Sequence, residues 1–114
     1  HLVPIVRGMH TTIYGRLKDP GLKSDDCRIL LDNYYRNFNN IKVLPVDIFP
    51  ATKWVKNTNK IFISVKVDIR NGKIILLSVI DNLLKGQTGQ AIQNMNIISG
   101  YPIDDGLELT TNYP

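Results

Sequence analysis

The spacing of apolar residues predicts a strand and then a helix in the first third of the chain. Residues 9–17 alternate and are rich in residues that favour strands, so they predict a long strand. Turn formers at residues 19–21 end it. Ser24 is the predicted N-cap of the following helix, which Asn39-Asn40 ends. The apolar face of this helix is predicted to consist of Cys27, Leu30, Leu31, Tyr34 and Phe38.

The middle of the chain predicts an edge strand, a loop and a half-buried strand. Residues 41–46 are extended and contain Pro45, which confines them to a sheet edge or an irregular connection. Residues 47–59 contain turn formers and the only tryptophan, Trp54, so they predict a loop that can face a ligand. Residues 61–70 alternate strictly, which predicts a strand with one buried face.

Asn71-Gly72 predicts a two-residue hairpin turn, because a type I′ turn needs φ above 0° at both central positions. That turn would place Arg70 opposite Lys73, and Val67 opposite Leu76. The second strand, over residues 74–79, is apolar on both faces, which indicates a central strand.

A last helix is predicted from about Gly86 to Ile98, with Gly100 ending it. Its apolar positions are Ala91, Ile92, Met95 and Ile98. Gly86 and Gly89 suggest a close backbone approach near its start. Free N–H groups there, together with Lys85, would suit a phosphate, a carboxylate or a carboxamide. A tight strand-to-helix turn with glycines for packing is the alternative.

These elements predict one α+β domain over residues 1–114, with a mostly antiparallel or mixed sheet and helices packed on one face. The chain has 114 residues, of which 43% are hydrophobic and 21% charged, a composition typical of one globular domain. No apolar stretch approaches the length of a membrane span and no signal peptide opens the chain, so we expect a cytoplasmic protein without membrane partners. The net charge of +4 is spread along the chain without an arginine-rich run, so we expect no nucleic acid.

Few residues could carry catalysis or hold a metal. Cys27, the single cysteine, can form no internal disulfide, and on an apolar helix face it is expected to be a buried core residue. His10 lies on the first strand and is expected to be structural, and His1 is given no catalytic role. We therefore predict no catalytic residue and no metal site within this chain. Arg7 is a candidate grip for an oxyanion, with a solvated arginine as the alternative.

Several longer motifs resemble a known enzyme family. They lie at residues 4–9, 11–14, 81–86 and 89–96, and the last two read Asp-Asn-Leu-x-Lys-Gly and Gly-Gln-Ala-x-Gln-Asn-Met-Asn. With Asn57-Thr58-Asn59 and Gly106-Leu107, they resemble the C-terminal domain of the N-acetyl-gamma-glutamyl-phosphate reductase family over nearly the whole chain. In that family, the nucleophilic cysteine lies in a Gly-Cys-aromatic motif and the partner histidine in a His-x-Pro-Glu motif. Neither motif occurs in this sequence, and the GxGxxG dinucleotide motif is also absent from it.

The resemblance implies an NADP-dependent oxidoreductase of arginine biosynthesis that converts N-acetyl-glutamyl 5-phosphate to N-acetyl-glutamate 5-semialdehyde through a cysteine thioester. This chain would be a piece of it, the C-terminal substrate and dimerisation domain, with a fold like that of the C-terminal domain of glyceraldehyde-3-phosphate dehydrogenase-type enzymes. It would be inactive alone, because it lacks the catalytic motifs and the N-terminal domain that binds most of NADP.

The resemblance also implies roles for four residues. Asn82 would bind the nicotinamide carboxamide, and Gly86 would leave room for the cofactor. Arg7 and Lys85 would bind the acyl-phosphate substrate. The sheet face would pack against a second subunit to form a homo-oligomer. Two alternatives are an aspartate-semialdehyde dehydrogenase-like domain and a non-catalytic anion-binding or oligomerisation module.

Overall fold

A mixed four-stranded sheet organises the molecule in a computed structural model that describes residues 3–108, so His1 lies outside the described residues. The strands are β1 (Met9–Arg16), β2 (Ile41–Val43), β3 (Ile61–Asp68) and β4 (Lys73–Ile80), in the order β1-β4-β3-β2. β4 pairs antiparallel with both β1 and β3, and β2 pairs parallel with β3. The predicted α+β class, the central β4 and the edge position of β2 are confirmed.

In the described part of the chain, three helices accompany the sheet: α1 (Ser24–Tyr35), α2 (Thr52–Val55) and α3 (Gly89–Ser99). A π-helical turn over Leu84–Thr88 leads directly into α3. Within residues 3–108, no helix is long and apolar enough to cross a membrane.

One face of the sheet is covered by α1. Val65 and Val67 on β3 are buried there against Cys27 of α1. The Ser24 hydroxyl oxygen accepts a 2.9 Å hydrogen bond from the Val67 N–H, which fixes the start of α1 to the sheet. Ser24 is therefore the first helical residue and not the predicted N-cap, which is Lys23. The Asp26 carboxylate instead accepts the Lys23 N–H at 2.9 Å.

The predicted apolar face of α1 is only partly correct. Cys27 and Leu31 pack against the sheet, but the side chains of Leu30 and Tyr34 are exposed, to 66% and 71%. The helix also ends at Tyr35, before the predicted Asn39-Asn40, because the chain turns there and Phe38 packs edge-on against Tyr35. A single helix resting on one sheet buries a narrower stripe than its apolar pattern indicates.

The opposite face of the sheet holds a second core cluster, formed by Leu44, Val55, Phe62 and Val79. The segment predicted as a ligand-facing loop contributes α2 to this cluster, and the Trp54 ring lies 6.4 Å from that of Phe62. The predicted loop is therefore correct except for the single helical turn at Thr52–Val55, and Trp54 is half-buried against the core cluster. The predicted packing of helices on one face of the sheet thus holds for α1, whereas the single turn of α2 lies on the opposite face. As a result, β3 is buried on both faces rather than on one.

The hairpin between β3 and β4 has a register different from the predicted one. Asp68 pairs with Lys73, and Val67 pairs with Ile74 rather than Leu76. Of the two predicted turn residues only Gly72 has a positive φ, of 59°, so the type I′ turn does not form. The Asp68 carboxylate accepts hydrogen bonds from Asn71 Nδ2 at 2.7 Å and from the Arg70 N–H at 3.1 Å, which stabilises a longer turn. Because the shift is two residues, each side chain keeps its predicted face.

The last helix ends as predicted, at Gly100 with φ 76°, but its predicted apolar face is wrong. Met95 is exposed and Ile98 is 87% exposed, whereas Gln93 and Asn96 are buried. These two amides are buried because they hold the segment that follows the helix. Asn96 Nδ2 donates to the backbone carbonyls of Ile103 and Asp105, at 3.1 and 3.0 Å.

Candidate ligand-binding junction

The start of β1 and the end of β4 lie side by side, since Met9 pairs with Ile80. The residues just outside each strand are therefore neighbours, and they are joined twice. Arg7 Nη2 donates to Asp81 Oδ2 at 2.6 Å, and the Gly8 N–H donates to Asn82 Oδ1 at 2.8 Å. We call these four residues the junction. It brings together two of the predicted site residues, Arg7 and Asn82, which are 75 positions apart in sequence.

The centre of the junction is the fully buried carboxylate of Asp81. Besides the bond from Arg7, its Oδ2 accepts the Asn57 N–H at 2.7 Å. Its Oδ1 accepts the N–H groups of Leu83 and Leu84, at 2.9 and 3.0 Å. Burial acts to raise the pKa of Asp81, but the hydrogen bonds from Leu84, Asn57, Arg7 and Leu83 outweigh it and leave the pKa below its ordinary value.

The predicted free N–H groups at the end of β4 are already used. Asp81 takes those of Leu83 and Leu84 through its side chain, and its backbone carbonyl accepts the Gly86 N–H at 2.9 Å. The anion that sits on this strand-to-helix turn is thus the protein's own carboxylate. A ligand here must be recognised by side chains rather than by those N–H groups.

Arg7 is not the solvated arginine that was the alternative from the sequence, because it is tied to Asp81. Its side chain is 24% exposed, and one Nη is bound to Asp81. Its Nε is buried without a hydrogen-bond partner. A guanidinium has five N–H donors in a fixed plane, so anchoring one end sets the direction of the others.

The Gly8 N–H occupies one acceptor position of Asn82 Oδ1, and the amide nitrogen of Asn82 is the donor that it can offer a ligand. The Gly8 position requires glycine for two reasons. Its φ is +107°, and a Cβ added there would lie 2.7 Å from the Cβ of Thr52. Gly8 packs closely on Thr52 of α2, and its N–H donates to Asn82 Oδ1. This backbone donor orients the Asn82 amide.

Lys85 lies just beyond the junction in a chain of side-chain hydrogen bonds. Its Nζ donates to Gln93 Oε1 at 2.5 Å, and Gln93 Nε2 donates to Asp104 Oδ1 at 2.7 Å. Burial lowers the pKa of Lys85, and the charge of Asp104 partly opposes that shift. The structure thus gives Lys85 a partner inside the protein.

The two glycines of this turn differ in their surroundings. Gly89 is buried, and a Cβ added to it would lie 2.1 Å from Asn59 Oδ1 and 2.9 Å from the Leu84 carbonyl oxygen. The predicted close backbone approach is confirmed at this position, where the neighbour is Asn59. Gly86 is exposed, and its nearest neighbours would lie 3.4 Å from an added Cβ. A methyl group at Gly86 would meet the Asp81 carbonyl oxygen and the Ile80 side chain at an ordinary van der Waals distance.

Sequence reasoning missed the residues that hold the site together. They are Asp81, Asn57, Asn59, Gln93 and Asp104, and four of them lie within motifs quoted above for their resemblance. A signal was present for Asp81, since an acidic residue directly after a buried strand needs a partner of its own.

Cys27 lies away from the junction, in the α1 core, where burial and then the nearby Asp26 raise its thiol pKa. Residues 3–108 contain no cluster of three or more histidine, cysteine or acidic residues that could hold a metal ion.

Comparison with known families assigns this fold to a class. A family model described as the semialdehyde dehydrogenase dimerisation domain matches residues 1–82, which include the whole sheet and the junction. The chain belongs to this family. Solved structures agree at the level of the fold. Aspartate semialdehyde dehydrogenase II from Vibrio cholerae, complexed with ASA, superposes with a TM-score of 0.67 at 19% identity, over 86% of this chain and 29% of that one.

Curated relatives of the chain carry a more specific name. The chain is 83% identical over all 114 residues to the N-acetyl-gamma-glutamyl-phosphate reductase of Prochlorococcus marinus strain MIT 9215, and 60% identical to that of strain NATL1A. In both cases the match covers 100% of this chain and 32% of the relative. The chain therefore spans about a third of the length of the curated relatives it matches.

Proposed function

We propose that this chain is the substrate and dimerisation part of an N-acetyl-gamma-glutamyl-phosphate reductase of arginine biosynthesis, and that it is inactive alone. The observation that carries the proposal is 83% identity over the whole chain to a reductase of that name. In the reaction, a hydride from NADPH replaces the phosphate of N-acetyl-glutamyl 5-phosphate, which gives the semialdehyde and inorganic phosphate. The acyl-transfer nucleophile and its base would come from the part of the enzyme outside this chain.

The substrate would be held at the exposed side of the junction. Arg7 keeps N–H donors beyond the one bound to Asp81, and a guanidinium suits the planar oxygens of a phosphate or carboxylate. Lys85 is the second substrate candidate, with two ammonium donors beyond the one on Gln93. Both cations lie at the same end of the sheet, as binding one anionic substrate would require.

NADP, which supplies the hydride, would be held mainly by the rest of the enzyme. The residues present here fit the amide end of that cofactor. Asn82 Nδ2 can donate to a carboxamide oxygen, while its carbonyl stays on Gly8. Gly86, exposed and without a side chain, would let the ring approach that amide.

The family assignment supports self-association of the enzyme, and the sheet face opposite α1 is the surface we propose for it. Tyr14 lies on that face with 68% of its surface exposed, beside Ile75 and Leu77, which are only half-buried. An apolar surface of this kind on the domain fits a contact with a second copy. We also propose a cytoplasmic location.

Turnover by a full-length chimera tests the reaction. In this chimera, the present chain replaces the matching third of the MIT 9215 relative. With NADPH, we expect it to reduce N-acetyl-glutamyl phosphate and to discriminate against aspartyl phosphate by at least about a hundredfold in kcat/KM, because the wrong substrate leaves binding groups unpaired. The isolated chain should show no turnover above buffer.

The same experiment separates the alternatives. Preference for aspartyl phosphate would support the aspartate-semialdehyde dehydrogenase reading, to which the Vibrio structure gives only a shared fold. A third outcome is a chimera that is folded and dimeric by sedimentation and yet turns over neither substrate. That result would favour a non-catalytic oligomerisation module.

A further inference from the structure

We propose that Asp81 is a positioning residue for the reaction, which orients Arg7 towards the substrate and Asn82 towards the cofactor. The inference rests on the proposed function for what those two residues bind. It adds a role for a buried carboxylate that itself touches neither ligand. The starting observation is that Asp81 contacts Arg7 directly and fixes the turn that follows Asn82.

A buried carboxylate at this point has a function that a neutral side chain would not reproduce. Burying a charge is unfavourable unless it is paired and hydrogen-bonded. Asp81 meets that condition with four donors from three separate segments: Arg7, Asn57, and Leu83 with Leu84. The Asp81 carboxylate therefore joins three segments by hydrogen bonds: the one before β1, the one before β3 and the turn after β4.

The contact with Arg7 decides where that guanidinium points. Arginine has a long side chain with many rotamers, and holding it in one geometry is entropically unfavourable. Asp81 fixes one Nη at 2.6 Å, and the planar group then directs its remaining donors away from the buried carboxylate. Without that anchor, an acyl phosphate would have to order the side chain as it binds, and its affinity would fall.

The contacts with the backbone decide where Asn82 points. Asp81 Oδ1 holds the N–H groups of the next two residues after Asn82, so the turn has one conformation. Asn82 is fixed from the other side by Gly8, whose neighbour Arg7 is held by the same carboxylate. One residue thus sets both ligand contacts relative to each other.

Asp81→Asn is the variant that tests this role. It keeps the shape and one oxygen acceptor, but it removes the charge. Its NH₂ group must face either the donors of Arg7 and Asn57 or the N–H groups of Leu83 and Leu84. In the chimera we expect KM for N-acetyl-glutamyl phosphate to rise about tenfold, as when a charge-assisted hydrogen bond is lost, and kcat to fall by a similar factor. In an Arg7→Ala background the additional rise in KM should disappear, because the two residues act through one contact.

Val65→Ala is the matched control. Val65 is buried in the core on the α1 side and takes no part in the junction, so its truncation should lower the melting temperature and leave KM unchanged. If Asp81→Asn behaves like Val65→Ala, with KM unchanged and only the active fraction reduced, Asp81 is merely structural and the inference is overturned. A wild-type chimera without turnover would contradict the proposed function instead.

A second measurement needs no activity. In the 114-residue chain, NMR of the Arg7 guanidinium should show slow rotation about the Cζ–Nε bond in the wild type, and fast rotation in Asp81→Asn. If that variant does not fold, lowering the pH of the wild type neutralises the same carboxylate. An Arg7 group that stays equally restrained after neutralisation would overturn the inference even if the enzyme is active.

Discussion

Gly89 provides a sharp test of how the turn after β4 is packed. A Cβ at this position would lie 2.1 Å from Asn59 Oδ1, 2.8 Å from Asn59 Cγ and 2.9 Å from the Leu84 carbonyl oxygen. Asn59 is 2% exposed and the Leu84 oxygen belongs to the backbone, so neither can move away freely. The φ of Gly89 is −63°, which any residue adopts, so Gly89→Ala adds no backbone strain and its cost is steric.

Two opposing contributions set the expected magnitude. Overpacking typically destabilises by about 1–3 kcal/mol, and the very short contact places this site at the upper end. Alanine gains about 1 kcal/mol over glycine in a helix. The net loss in the free energy of unfolding is therefore about 2 kcal/mol, which lowers the melting temperature by roughly 10 °C in a domain of this size.

Denaturant unfolding of Gly89→Ala and Gly86→Ala in this chain makes the comparison. Gly86 is the matched control, because an added Cβ meets its nearest neighbours at an ordinary 3.4 Å. We expect Gly86→Ala to change the free energy of unfolding by less than about 1 kcal/mol. Asn59→Gly should recover most of the loss in Gly89→Ala. A Gly89→Ala chain as stable as the wild type would refute this account of the packing.

Two further predictions concern ionisable groups. The thiol of Cys27, buried and with a raised pKa, should react slowly with a disulfide reagent in the native chain and quickly in denaturant, and equal rates would show that it is accessible. Folding lowers the pKa of Asp81, so the charged carboxylate stabilises the folded state. This stabilisation is fully present above the pKa of about 3.9 of an unfolded aspartate, and it is lost as the pH falls through the lower pKa of the folded state. The difference in free energy of unfolding between wild type and Asp81→Asn, measured by denaturant titration, should therefore narrow below about pH 4, and a constant difference would contradict this.

Much of the sheet could be predicted from the chain because its signals are local. The alternation in β3, the apolar run of β4 and the proline near β2 each reflect the immediate surroundings of one strand. The hairpin register could not be predicted, because the choice depended on Asp68, whose side chain captures the Arg70 N–H and the Asn71 amide. A dipeptide that permits a type I′ turn does not exclude a longer one.

The helix faces were less predictable for a different reason. In α3, apolar Met95 and Ile98 are exposed, whereas Gln93 and Asn96 are buried, because those amides satisfy Asp104 and the carbonyls of the following segment. Periodicity detects apolar surface but cannot say which neighbour covers it. Similarly, the pairing of Arg7 with Asp81 joins residues 74 positions apart, which only the register of β1 on β4 reveals.

Steady-state kinetics of Asn82→Asp in the chimera test the central claim most directly. Aspartate can still accept the Gly8 N–H, so the junction and the melting temperature should be retained, but it cannot donate to a carboxamide as the Asn82 Nδ2 can. If this end of the sheet holds the nicotinamide, kcat should fall about tenfold or more, with a smaller change in the KM for NADPH, and Asn82→Ala should show the same kinetic loss. An Asn82→Asp enzyme with wild-type kcat would contradict the claim that the junction is the ligand site.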